Sequence, residues 1–194
     1  MSDEKGTFRS SDPQQPSQRR DEENRMSPFR LFMDPQNKIR DIVGLRQRVA
    51  AAQAAGLKVV FGNGCFDLIH VGHIRYLQGA KALGDILVVG INDDASVNAL
   101  KGEGRPWQPQ QERAEVIASM ECVDYVVIFD APTVAGLLVA LKPDIHAKGT
   151  DYTIDNVPER DVVRTFGGRV AIVGDEKAHS SRDLASAILL KMSR

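Results

Sequence analysis

The chain has 194 residues, with 25 Lys and Arg against 26 Asp and Glu, 42% hydrophobic residues and two cysteines. At about 100–200 residues per domain, that length predicts one domain, or one domain with a tail. The balanced charge excludes broad binding to a nucleic-acid backbone, which takes a basic excess; two cysteines exclude a disulfide framework; and no apolar run reaches the ~18 residues of a membrane helix. With no apolar signal core at its start, the chain is expected to be reduced, soluble and cytoplasmic, with no membrane or nucleic-acid partner.

From Met1 to Pro28 only Met1, Phe8 and Met26 are hydrophobic. Such a stretch cannot bury enough apolar surface to offset its ordering entropy. Residues 1–34 therefore read as a disordered polar tail, either a plain extension or a partner-binding arm, and residues 35–194 as the domain. Phe29, Leu31, Phe32 and Met33 are apolar enough to dock onto that domain.

In chain order, Ile39, Ile42, Val43, Val49, Ala50 and Ala54 recur at helical spacing and Gly56 is a stop signal. Apolar runs of strand character follow at 58–61, 86–91, 125–129, 144–147 and 169–173, separated by helical segments near 71–83, 94–100, 109–120, 133–142 and 158–166, with a last helix near 181–192. Short apolar strands alternating with helices predict βαβ units. The fold class expected is α/β: a Rossmann-like, doubly wound sheet of five parallel strands with right-handed crossovers. Such sheets bind ligands beyond the carboxyl ends of their strands.

The segment Gly62-Asn63-Gly64-Cys65-Phe66-Asp67-Leu68-Ile69-His70-Val71-Gly72-His73 leaves the first strand and opens the next helix. A phosphate site belongs there. Gly62 and Gly64 let backbone amides approach an anion, His70 and His73 share one face of the first turn, and Gly72 leaves room for a ligand. A lone Gly-x-Gly turn or a capping histidine would explain part of this. A zinc pair would need a third ligand, and neither His146 nor His179 is close in sequence, so no metal bound by side chains is expected. The P-loop and the full Gly-x-Gly-x-x-Gly pattern are absent.

Downstream, Lys101, Arg105 and Arg113 flank one loop between the second strand and a helix. Phosphoryl chemistry needs cations of this kind to offset developing charge, although surface cations are often merely solvated. Lys148-Gly149-Thr150-Asp151-Tyr152 follows the fourth strand, as a turn or as a place where backbone meets a base or ribose. Ser180 and Ser181 open the last helix, as caps, as an anion site, or as both. Asn92 and Asp94, at the end of the second strand, join Asn63 and Asp67 as candidates for the acceptor site, with a helix cap as the plainer role of Asp94.

Gly64 to His73 resembles the Gly-x-Phe-Asp-x-x-His-x-Gly-His signature of the cytidylyltransferase-like nucleotidyltransferase superfamily. The resemblance implies that His70 and His73 contact the nucleotide phosphates and stabilise the transition state, with Gly64, Cys65, Phe66 and Gly72 supplying close backbone. It leaves no role for Cys65 as a nucleophile. Leu100-Lys101-Gly102, Arg105-Pro106, Lys148-Gly149-Thr150-Asp151-Tyr152 and Ser180-Ser181 are similar, in this order, to the branch of adenylyltransferases that forms ADP-activated heptose for lipopolysaccharide. The likeness runs from about Lys38 to Lys191. Four residues depart from that branch: Gly62 where it has Thr, Trp107 where it has a small aliphatic, His146 at an aliphatic strand position, and Arg182 after the serines. What the resemblance implies is in-line transfer of AMP from ATP, with Mg²⁺, onto a sugar 1-phosphate. Lys101, Arg105, Arg113, Ser180 and Ser181 would hold phosphates, and Lys148, Gly149 and Asp151 the nucleoside. Related bifunctional proteins carry a sugar kinase domain, for which the region before this domain is too short. A separate kinase is therefore an expected partner, and a homodimer the expected assembly. The alternatives are a cytidylyltransferase or flavin-mononucleotide adenylyltransferase of the same superfamily, and, from another class, a silent nucleotide-binding module.

Overall fold

A computed structural model describes residues 34–175 and 181–192. The expected tail, the apolar residues 29–33, and His179 and Ser180 lie outside the described residues, as does the side chain of Arg182. After a short 3₁₀ turn at Pro35–Lys38, α1 spans Ile42–Ala54, with the Asp41 carboxylate accepting from the Gly44 amide at 2.7 Å as its N-cap. Leu45, Val49 and Ala52 are its buried side chains. Of the residues at helical spacing, Ile39 precedes this helix, and Val43, Ala50 and Ala54 lie on its exposed side. Ile39 makes a parallel bridge to Val126, and Val43 is exposed.

The chain then alternates as predicted: β1 (Val59–Gly64), α2 (Val71–Lys81), β2 (Ile86–Asn92), α3 (Asp94–Lys101), α4 (Gln110–Ala118), β3 (Tyr125–Phe129), α5 (Ala135–Leu141), β4 (Ile145–Gly149), α6 (Arg160–Thr165), β5 (Arg169–Val173) and α7 (Ser181–Met192). The strands form one five-stranded sheet in the order β3-β2-β1-β4-β5. Every pairing is parallel. Three strands outrun their expected ends, β2 by the single residue Asn92. β1 continues through Asn63 and Gly64, and β4 through Lys148 and Gly149, so polar residues expected in loops are borne on strands.

Both faces of the sheet are covered, which is why its strands are apolar throughout rather than alternating. Val60, Leu87 and Val89 pack with Leu77 of α2 and Ile117 of α4. Val59, Phe61, Val88 and Val127 pack with Leu45 and Val49 of α1, Leu138 of α5 and Val163 of α6. Strand order reverses at β1: the chain winds outward through β2 and β3 on one side, and through β4 and β5 on the other. The carboxyl ends of β1 and β4 therefore border the switch-point crevice, where such sheets take ligands.

Candidate active site

At the end of β1, Phe66 adopts φ +48°, a backbone conformation that costs a bulky residue energy. Its ring is buried and turns back over Gly64, where an added Cβ would stand 3.0 Å from the ring. Gly64 is thus required by its neighbour as well as by any anion. Past this turn His70 is the N-cap residue of α2, and the His70 and His73 rings stack with centroids 3.9 Å apart. Phe66 closes the other side of His73, centroid to centroid 5.3 Å. The His70 backbone amide donates to His73 Nδ1 at 3.3 Å. That bond makes Nδ1 the acceptor, so neutral His73 carries its proton on Nε2. Burial, then the neighbouring His70 and then Lys101 push the His73 pKa down to about 4. At neutral pH His73 is therefore an uncharged N–H donor at a helix N-terminus.

On the β2 side, Asp67 is 2% exposed and works inward. It accepts from Arg105 Nε at 2.5 Å, from the Trp107 amide at 2.7 Å and from the Gln108 amide at 3.2 Å. A candidate substrate ligand by sequence, it latches the loop that carries Arg105 onto the loop between β1 and α2. The Arg105 guanidinium lies 3.6 Å from the centroid of the Trp107 ring. Arg113, expected to meet phosphate, has no exposed surface. It donates through Nη1 to the Cys65 carbonyl at 2.6 Å, through Nε to the Gln108 carbonyl at 2.9 Å, and through Nη2 to Asp94 at 2.7 Å. It fastens the loop between β1 and α2 at Cys65. Asp94 is not the cap of α3; that role falls to Asp93, which accepts from the Ser96 amide. Asn92 is buried, 3.9 Å from Cys65 Sγ. Burial raises the Cys65 pKa, so its thiol stays protonated, which suits a structural role rather than a nucleophilic one. Lys101 ends α3 in an exposed position, and its charge acts on both Cys65 and His73.

The β4 side is polar and buried. Asn63 Oδ1 meets His146 Nε2 at 3.2 Å and accepts from Lys148 Nζ at 3.3 Å. Lys148 also lies 3.5 Å from Glu159 and 4.7 Å from the centroid of the Tyr152 ring. Burial lowers the Lys148 pKa while Glu159 opposes the shift. His146 has no exposed surface, and burial followed by the Lys148 charge lowers its pKa to about 3. Gly149 closes β4, and Asp151 lies exposed just beyond it. Across the loop, Ser181 opens α7 and its hydroxyl donates to the Leu68 carbonyl at 3.0 Å, so it also helps to hold the loop between β1 and α2.

Two residues with structural work here were not picked out by sequence reasoning. Tyr76 donates from a buried hydroxyl to the Ala147 carbonyl at 3.0 Å, and an added Cβ at Gly62 would stand 2.6 Å from that hydroxyl. The space a Thr would need at position 62 is filled by Tyr76. Its signal was its place on α2, three residues after His73 and so on the same face. Glu159, from the turn before α6, had no signal beyond its charge. Among the described residues no group of three or more His, Cys, Asp and Glu could hold a metal ion, and no helix is long and apolar enough to cross a membrane.

The cytidylyltransferase-like family profile matches residues 61–191. The bifunctional protein HldE of Geobacter metallireducens is 49% identical over 156 residues, covering 80% of this chain and 32% of that protein. HldE of Geobacter sulfurreducens is 47% identical over 152 residues, covering 78% and 31%. The chain thus spans about a third of the length of these curated relatives. Among solved structures, the lipopolysaccharide core biosynthesis protein of Thermoplasma volcanium superposes with a TM-score of 0.51 at 30% identity, covering 60% of this chain and 94% of that one. A signature loop at the end of β1, with two histidines on the first turn of α2, agrees with the profile match: the chain belongs to the cytidylyltransferase-like family and is a nucleotidyltransferase.

Proposed function

We propose that this chain is an adenylyltransferase that moves AMP from ATP onto a sugar 1-phosphate, heptose 1-phosphate foremost, and releases pyrophosphate. The observation that carries the reading is the stacked pair His70 and His73 at the N-terminus of α2, with Lys101 acting on it electrostatically. The similarity to HldE proteins, and to the lipopolysaccharide core biosynthesis protein of Thermoplasma volcanium, supports a sugar acceptor.

An acceptor phosphate oxygen attacks the α-phosphorus in line. The new P–O bond forms as the bond to the β-phosphate bridge breaks, and its electron pair leaves with pyrophosphate. The attacking oxygen is already ionised at neutral pH, so no general base is needed. Catalysis rests on alignment and charge neutralisation. Neutral His73 donates its Nε2–H to a phosphate oxygen beside His70, and the backbone of Gly64, Cys65, Phe66 and Gly72 lets the triphosphate approach. Lys101 and Arg105 offset charge on the acceptor phosphate and the leaving pyrophosphate. Asp67 and Arg113 hold that machinery in place, while Asn92 and Asp94 border the acceptor side. Asn63, Lys148, Gly149 and Asp151 border the nucleoside, and Ser180 and Ser181 add an anion contact. The Asp67 and Asp94 carboxylates are each paired with an arginine. These two carboxylates are thus engaged, and a Mg²⁺ accompanying the triphosphate would be held by phosphate and water oxygens. A sugar kinase supplies the acceptor.

The test is pyrophosphate release with ATP or CTP against a panel of sugar 1-phosphates, glycerol 3-phosphate and flavin mononucleotide. Release with ATP and a sugar 1-phosphate is expected. Release only with CTP, or only with the flavin, overturns the assignment, and none with any pair makes the chain a silent module. His73→Ala should lower turnover by ~10²–10³-fold, the usual cost of one transition-state donor.

A further inference from the structure

Trp107 is the chain's single tryptophan. Its indole is 48% exposed, yet nothing about it is loose. Its backbone amide donates to Asp67 Oδ1, and the Arg105 guanidinium that covers one face of the ring is itself bound through Nε to Asp67 Oδ2. Asn98 Nδ2 donates to the Arg105 carbonyl at 3.1 Å and ties the same segment to α3. One buried carboxylate thus fixes both the strip of backbone that bears the ring and the cation stacked on it. An aromatic plane left half in water but held this firmly is preorganised for contact, because little freedom remains to be lost when a partner arrives.

Its position selects the partner. The segment 105–108 is latched to the loop between β1 and α2 from the β2 side, whereas Lys148, Glu159 and Tyr152 lie at the end of β4, across β1. Under the adenylyl transfer reading, the nucleoside lies on the β4 side and the acceptor beside Lys101 and Arg105. A sugar ring carries hydroxyls at its edge and C–H groups on its faces, so it packs by a face onto an aromatic plane. Its anionic phosphate, projecting past the edge of the indole, would meet the guanidinium that covers the ring's other face. We propose that Trp107 is the acceptor-recognition residue: a platform for the pyranose ring of the sugar 1-phosphate, with Arg105 beside it for the phosphate. This rests on the adenylyltransferase reading above and adds to it where the sugar ring is read.

The lone indole reports on itself. Its emission is followed while the protein is titrated with heptose, mannose and glucose 1-phosphates, with glycerol 3-phosphate and inorganic phosphate, and with a non-hydrolysable ATP analogue. The sugar 1-phosphate that supports pyrophosphate release is expected to shift or quench the emission, and the two ringless phosphates to do so far less. Trp107→Ala should raise the KM for that sugar phosphate about tenfold, Trp107→Phe by no more than about threefold, and both should move the KM for ATP much less. Emission that answers to the ATP analogue but to no sugar phosphate overturns the proposal, and so does an equal rise in both KM values. Emission that answers to neither, while pyrophosphate is still released, overturns it too and leaves the adenylyltransferase reading standing. Absence of pyrophosphate release with every pair removes that reading, and the platform with it.

Discussion

On the β2 side of the loop between β1 and α2 the charged groups come from the end of α3, the irregular segment 102–109 and α4, and Arg105 and Arg113 are tied down by side-chain hydrogen bonds. On the β4 side they sit on strand ends and are tied down by register, with Phe61 opposite His146 and Gly62 opposite Ala147. The difference decides which charges remain for a substrate. Asp67 and Arg113 belong to the signature and to the basic cluster, yet each is buried and paired with main-chain groups. Their work is to hold Arg105 and the Cys65 turn where a strand would otherwise have to. On the β4 side strand register places the backbones of Asn63 and Lys148, and side-chain contacts from Glu159 and between the two add to it.

Removing the latch should therefore hurt more than removing any one group on the β4 side. Arg113→Ala leaves the Cys65 and Gln108 carbonyls and the Asp94 carboxylate without their donor. The half-exposed Asp94 can turn to water, but each carbonyl left without its donor costs about 1–3 kcal/mol, so a loss of about 2–4 kcal/mol is expected, which denaturant unfolding will show as a lower midpoint. A loss under about 1 kcal/mol would mean that the loop between β1 and α2 holds itself, and the contrast between the two sides would fall.

On the β4 side the corresponding weakness is acid. His146 is buried and neutral in the fold, with a pKa lowered from 6.5 to about 3. The unfolded chain takes up a proton near pH 6.5 that the folded chain refuses. The stabilisation is complete above pH 6.5 and is lost as the pH falls from there toward 3, at about 1.4 kcal/mol per pH unit. His73, with its value near 4, adds a second contribution of the same sign over the upper part of that window. His146→Leu should make the slope of unfolding free energy between pH 6 and 4 shallower by one proton's worth. An unchanged slope would show that the imidazole takes its proton without unfolding.

A subtler break on the β2 side is Asp67→Asn. The amide oxygen can still accept, but the charge that holds Arg105 is gone. Displacing an aligned cation by as little as about 1 Å costs on the order of 10²-fold in rate, so turnover should fall by that order. Stability should fall less than in Arg113→Ala. Steady-state kinetics at saturating ATP separates the two effects, and a full-speed Asp67→Asn enzyme would return Asp67 to a merely structural place.

The sheet was legible because both of its faces are covered, which makes runs such as Leu87–Val88–Val89 apolar without alternation. The turn between β1 and α2 was legible because glycines, paired histidines and a helix start coincide. What could not be read was the direction in which charges face. Asp67 and Arg113 have the residue types of ligands, and only the fold reveals that Asp67 is committed to the 105–108 segment and Arg113 to the loop at Cys65. Glu159 reaches Lys148 from eleven positions further along the chain, a pairing that no local spacing encodes. Nor did spacing reveal that β1 and β4 run on far enough to carry Asn63 and Lys148 themselves.

The smallest expected effect concerns Gly62, which stands where the branch it resembles has Thr. A Cβ there would lie 2.6 Å from the Tyr76 hydroxyl and 3.3 Å from its Cζ. That hydroxyl cannot simply swing away, because it donates to the Ala147 carbonyl and the ring is buried between α2 and the sheet. Gly62→Ala should therefore cost about 1–3 kcal/mol, the range for an overpacked core. Tyr76→Phe alone should cost about 1 kcal/mol for the lost buried hydrogen bond. Together they should cost less than their sum, because removing the hydroxyl removes the closest contact and leaves the 3.3 Å approach to the ring, which a small shift relieves. A double-mutant cycle reads this coupling directly. Additive costs would mean that position 62 is small for the sake of a ligand in the crevice rather than for Tyr76, and the β4 side would then be shaped by its substrate as much as by its packing.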